Sequence, residues 1–90
     1  MFSLKGKVAI VTGGAGYLGT AISEALAQYG AKIVIASRNA DQCKTLARQL
    51  SKDYGIEAKG AELDMCSHDS AIQCMENVHR EMGSVDILIN

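Results

Sequence analysis

The chain contains no proline and no tryptophan, and its aromatic residues are one phenylalanine and three tyrosines. With no proline and no Gly/Ser-rich stretch there is no segment that reads as an interdomain linker, and no low-complexity run or internal repeat is present. Charge of either sign is not in excess: the formal net charge is −1, with acids and bases interspersed. Such a balance leaves neither the basic footprint of a nucleic-acid binder nor a polybasic patch for a membrane surface. Only three cysteines occur, Cys43, Cys66 and Cys74. The number is odd and no C-x-x-C is formed, so neither a disulfide framework nor a zinc site is expected, and buried free thiols in a reducing compartment are. No run approaches the ~20 apolar residues of a membrane span. The opening "MFSLKGKVAIV" has too short an apolar run for a secretory signal. A soluble, cytoplasmic protein is therefore expected.

What remains is a globular composition, with 48% of 90 residues apolar. This is enough for one small domain. Val8 to Thr12 is a continuous apolar run, as in a strand buried on both faces. Leu18 to Tyr29 follows helical spacing, with a stripe of Leu18, Ala21, Ile22, Ala25, Leu26 and Tyr29. A second strand covers Lys32 to Ala36. Asn39 and Gln42 form a capping-box pattern that opens a second helix, with the stripe Cys43, Leu46, Ala47, Leu50 and Tyr54. A weaker third strand covers Glu57 to Leu63. Ser67 caps a third helix whose stripe is Ala71, Ile72, Met75, Val78, His79 and Met82. Glycines at 30, 55 and 83 stop the three helices. Val85 to Asn90 is a fourth strand. Chain ends are usually polar and exposed, so an apolar strand at the last residue predicts a fragment.

Strands alternating with helices imply an α/β fold with a parallel sheet and right-handed crossovers. The pattern predicts a partial Rossmann fold, a doubly wound parallel sheet (β-α-β-α-β-α-β, strand order 3-2-1-4). Directly after the first strand come four glycines within seven residues, Gly13, Gly14, Gly16 and Gly19. In such a sheet, ligands bind beyond the carboxyl ends of the strands, where the next helix aims its free N–H groups and positive dipole end. Gly13 and Gly14 suit a tight turn, Gly16 a close backbone approach to a pyrophosphate, and Gly19 close packing of helix on strand. No Gly-Lys-Ser/Thr follows, which excludes a P-loop. At the end of the second strand, where an acid would take a ribose 2′-hydroxyl, stand Ser37 and Arg38. The first carboxylate is Asp41, in a helix first turn where acids suit the dipole. A hydroxyl donor and a forked, permanent cation suit a 2′-phosphate, so NADP(H) is expected rather than NAD(H).

"LKGKVAIVTGGAGYLGTAI", "YGAKIVIASRN", "ELDMCS" and "GSVDILIN" together resemble the short-chain dehydrogenase/reductase family over the whole length of the chain. The resemblance implies that residues 1–90 are the N-terminal part of a single NAD(P)-binding Rossmann domain, with the catalytic half lying beyond. It implies cofactor contacts from Thr12, Gly13, Gly14, Gly16, Tyr17, Leu18, Gly19, Ser37, Arg38, Asn39, Asp64, Met65 and Asn90, with Asp64 near the adenine. It also implies hydride transfer to or from a small carbonyl or secondary alcohol, with no nucleic acid or membrane as partner and a homo-oligomer at full length.

One position departs from the family's classical branch, which has T-G-x-x-x-G-x-G: Tyr17 stands where a glycine would. The resulting Thr12-Gly13-x-x-Gly16-x-x-Gly19 is also the spelling of the extended branch of epimerases and dehydratases. "GKVAIVTGG" and "VDILIN" favour the classical branch. The family's catalytic Y-x-x-x-K is absent from these residues: Tyr17, Tyr29 and Tyr54 have Ala21, Ile33 and Ala58 four places on. No catalytic residue is thus expected within 1–90, and His68 and His79 are not substitutes. The alternatives are an extended-type epimerase or dehydratase and a non-catalytic dinucleotide-binding module.

Overall fold

The computed structural model describes residues 2–13 and 16–90. Seven elements follow one another: β1 (Val8–Thr12), α1 (Tyr17–Gln28), β2 (Lys32–Ser37), α2 (Ala40–Tyr54), β3 (Ala58–Glu62), α3 (His68–Met82) and β4 (Ile87–Ile89). The four strands are all parallel and lie in the order β3-β2-β1-β4. The reversal of strand order falls between β1 and β4, because the α3 crossover returns past the starting strand. Asp86 secures this return: its carboxylate accepts from the Val8 N–H at 3.0 Å, and its own N–H donates to the Val8 carbonyl at 2.9 Å.

Side chains alternate across β1 and β2 and feed two cores. Ala9, Val11, Ile33 and Ile35 meet α1 and α2 through Ala27, Cys43 and Leu50. Val8, Ile10, Val34 and Ala36 meet α3 through Cys74, Val78 and Met82. Both faces of the central strands are covered, which is why they read as unbroken apolar runs. Burial raises the pKa of the Cys74 thiol and keeps it a neutral core group. A salt bridge from Lys59 on β3 to Glu81 on α3 crosses the second face. The hydrogen bond and charge of Lys59 hold the exposed Glu81 carboxyl below the usual range.

Two helices turn differently from the expected stripes. In α1 the buried residues are Ser23 and Ala27, while Leu18, Ala21, Ala25 and Tyr29 are exposed. Small side chains face the sheet and let the helix approach closely, with Leu26 packed beside them and Leu18 and Tyr29 turned outward. In α3 the buried line is Cys74, Val78 and Met82, at i, i+4 and i+8, while Ile72, Met75 and His79 are exposed. Met75 lies on the apolar side of the sheet at β4. There, Ile10, Leu63, Met65, Cys74, Met75 and Leu88 contribute to a cavity of about 220 Å³. The expectation that all three thiols are buried holds for Cys43 and Cys74; Cys66 is exposed in the loop after β3.

In this four-stranded sheet β4 is an edge, and Leu88 on it is 55% exposed. Its free N–H and C=O groups lie beside apolar side chains, a combination that templates strand pairing. The 90-residue chain should therefore self-associate increasingly as its concentration rises. Static light scattering checks this, and a monodisperse monomer with a cooperative urea transition would contradict it.

Candidate functional site at the carboxyl ends of the strands

The carboxyl ends of β1, β2, β3 and β4 bring Thr12 and Gly13, Ser37 to Asn39, Asp64 and Met65, and Asn90 to one end of the sheet. α1 begins at this end. Gly13 turns the chain out of β1 with φ +65, and its N–H donates to the Ala36 carbonyl of β2 at 2.8 Å. A non-glycine residue is strained there. Among the described residues, nothing lies within 4 Å of where a Gly13 Cβ would be. Gly16 is different. Its φ of −77 and ψ of 176 suit any residue, and a Cβ there would only touch the Gly13 carbonyl at 3.5 Å. Among the described residues, neither conformation nor space demands a glycine at 16. Gly14 lies outside the described residues.

The starts of the three helices contrast. Asn39 Oδ1 accepts from the Gln42 N–H at 3.1 Å to cap α2, and Ser67 Oγ accepts from the Ser70 N–H at 3.2 Å to cap α3. Each also has an acid in its first turn, Asp41 or Asp69. α1 has Gly16 as its N-cap, with no side-chain cap and no acid in its first turn. Its positive end and first N–H groups, which no side chain among the described residues caps, lie beside the β1 turn, an arrangement suited to an anion such as a pyrophosphate. Tyr17 is the first residue of α1 and is 95% exposed. No described non-glycine residue has positive φ, so Tyr17 sits there without strain. Leu18 beside it is exposed and Gly19 half-buried.

Thr12 Oγ1 joins β1 to β4, lying 2.9 Å from the Ile89 carbonyl and 3.1 Å from Asn90 Oδ1, which share its one proton. Asp64 folds its own loop: Oδ1 accepts from the Cys66 N–H at 2.9 Å, and the Asp64 N–H donates to Ser70 Oγ at 3.0 Å. Met65 beside it is exposed. At the end of β2, Ser37 is half-buried, and Arg38 and Asn39 are exposed. Arg38 forms no salt bridge among the described residues. Asp41 is exposed on α2. The capping box at the start of α2 is half made: the Asn39 N–H donates to Ser37 Oγ at 3.1 Å rather than to Gln42. His68 and His79 are both exposed on α3. Sequence periodicity singled out Cys43 only as a core residue, yet its Sγ lies 3.0 Å from Ser37 Oγ.

A doubly wound parallel sheet with a glycine turn and an uncapped helix at its switch point defines a Rossmann-type dinucleotide-binding fold. Residues 7–90 match the family described as short chain dehydrogenase, and the chain belongs to that family. It is 37% identical over 90 residues to gluconate 5-dehydrogenase of Gluconobacter oxydans, covering 100% of this chain and 35% of that protein. It is 40% identical over 89 residues to D-threitol dehydrogenase of Mycolicibacterium smegmatis, covering 99% and 34%. The crystal structure of L-sorbose reductase from Gluconobacter frateurii, complexed with NADPH and L-sorbose, superposes with a TM-score of 0.92 at 32% identity, over 99% of this chain and 34% of that one. The chain thus spans about a third of the length of these relatives.

Proposed function

We propose that the chain is the NADP(H)-binding N-terminal portion of a short-chain oxidoreductase acting on a small carbonyl or secondary alcohol. The observation that carries the cofactor choice is the end of β2. Ser37 and the exposed Arg38 stand there, and the nearest following carboxylate, Asp41, is on α2. The residues suit the cofactor at both of its anionic groups. Gly13, Gly16 and the uncapped start of α1 would hold the pyrophosphate. Ser37 and Arg38 would hold the 2′-phosphate, and Asp64, Met65 and Asn90 would border the adenosine. Thr12 braces the floor by tying β1 to β4. The bound nicotinamide supplies or accepts the hydride. The NADPH in the L-sorbose reductase structure supports this reading. A cytoplasmic location and a homo-oligomeric full-length enzyme complete it, in keeping with cysteines that are all free.

No Y-x-x-x-K lies within residues 1–90, so the chain should bind the dinucleotide without turning over a substrate. Calorimetric titration tests the cofactor choice. The wild type should bind NADP+ more tightly than NAD+. Arg38→Ala should weaken NADP+ by roughly ten- to a hundredfold and leave NAD+ nearly unchanged, as one charge-assisted phosphate contact contributes about 1.5–3 kcal/mol. Equal affinity of the wild type for both cofactors would sink the reading.

A further inference from the structure

We infer that Cys43 is a positioning residue that orients the Ser37 hydroxyl toward a 2′-phosphate and so contributes to cofactor choice. This deepens the NADP(H) reading and rests on it. A hydroxyl has one proton and two lone pairs. The Asn39 N–H occupies one lone pair of Ser37 Oγ at 3.1 Å. The Cys43 thiol lies 3.0 Å away, and the Asn39 carbonyl is a long 3.4 Å from the same oxygen. That carbonyl already accepts from the Cys43 N–H at 3.2 Å.

Two proton arrangements are open. In the first, Ser37 donates to sulfur, which is a weak acceptor. In the second, the thiol donates to Ser37 Oγ and fills its second lone pair, and the serine proton is left only the long 3.4 Å contact to the Asn39 carbonyl, which a phosphate can displace. A phosphate beside Ser37 selects the second arrangement, because a charged oxygen is a far better acceptor than sulfur. Donation from the thiol into Oγ also polarises the serine O–H and strengthens it as a donor.

The thiol is held in place for this. Cys43 is fully buried, and it lies in the first turns of α2, whose start is pinned by the Asn39 cap. Its backbone packs against Gly60 of β3, where an added Cβ would come within 2.5 Å of the Cys43 carbonyl carbon. A residue that only filled this core would behave differently. As filler, valine should replace cysteine best and serine worst, since a buried hydroxyl is harder to accommodate. As a donor to Ser37, serine should preserve the effect, while alanine and valine should lose it.

The test is binding of two probes that differ only in the 2′-phosphate, adenosine 2′,5′-bisphosphate and AMP, to the 90-residue chain. The wild type should prefer the bisphosphate. Cys43→Ala and Cys43→Val should reduce that preference by roughly three- to tenfold, the scale of one hydrogen bond, with AMP affinity unchanged. Cys43→Ser should retain it. A preference unmoved in Cys43→Ala and Cys43→Val, or lost equally in Cys43→Ser, overturns the role of Cys43 alone. A wild type that binds both probes equally overturns the NADP(H) reading and this inference with it. Ser37→Ala, at the half-buried last residue of β2, guards against variants that fail to fold. It should lower the preference and abolish any further effect of Cys43→Ala; an unchanged preference in Ser37→Ala overturns the inference directly.

Discussion

Replacing Gly60 by alanine should lower the melting temperature of the chain by roughly 10–20 °C, and valine there should prevent folding. Gly60 lies in β3, and its backbone is not in the left-handed region. The glycine is required by space alone. A Cβ would stand 2.4 Å from the Lys44 nitrogen and 2.7 Å from its Cα, contacts with helix backbone that no rotamer change can relieve. α2 would have to move away from β3, and with it the buried side chains of Cys43, Ala47 and Leu50. Overpacking of this kind costs about 1–3 kcal/mol and more when backbone must shift. A chain of this size holds only on the order of 5–10 kcal/mol in all. Circular dichroism melts of wild type and variant at equal low concentration decide the point. A Gly60→Ala midpoint within about 3 °C of wild type would show that α2 yields easily, since one kcal/mol alone shifts a domain of this size by about 4–8 °C.

Gly13→Val should abolish measurable dinucleotide binding, with a loss of at least roughly a hundredfold from two phosphate contacts. The valine meets a φ of +65, which costs about 1–2 kcal/mol for an L-residue, and it fills the space over the β1 turn. Because strain and obstruction act together at 13, Gly16→Ala separates them. At 16 neither the described surroundings nor the backbone angles resist a methyl group. Gly16→Ala should keep the wild-type melting temperature and still bind more weakly. Full affinity in Gly16→Ala would mean that the phosphates do not approach there. Tyr17→Gly, which restores the classical spelling, relieves no strain, because Tyr17 already has negative φ. It should leave binding unchanged or slightly weaker, since glycine opens a helix less well.

Much of the fold was legible in the residues themselves. Unbroken apolar runs at Val8–Val11 and Ile33–Ala36 mark strands covered on both faces, and apolar residues at three- and four-residue spacing mark the helices between them. The parallel order β3-β2-β1-β4 is the one expected of a doubly wound dinucleotide-binding sheet. The site was legible where backbone chemistry dictates residue type. The glycine at 13 answers a positive φ, and Ser37 and Arg38 follow β2, where the sheet delivers them to the strand ends.

Sequence could not orient the helices. Apolar residues on α1 and α3 span more than one face, and periodicity favours the larger ones. The tertiary structure chose Ser23 and Ala27 on α1 and Cys74, Val78 and Met82 on α3. That choice depends on how closely each helix can approach the sheet, which is set by the facing side chains. Gly60 carries no turn signal, because its demand for a missing Cβ comes from α2, 16 residues earlier at Lys44. The pairing of Cys43 with Ser37 is likewise invisible along the chain. Periodicity says only that residue 43 points inward. That its thiol meets the one hydroxyl at the end of β2 follows from the Asn39 cap and the seating of α2 on β3. Local propensity and spacing decided which elements form and in what order, because those depend on neighbours in the chain. Which side chains meet depended on distances between elements, and only the packed structure sets those.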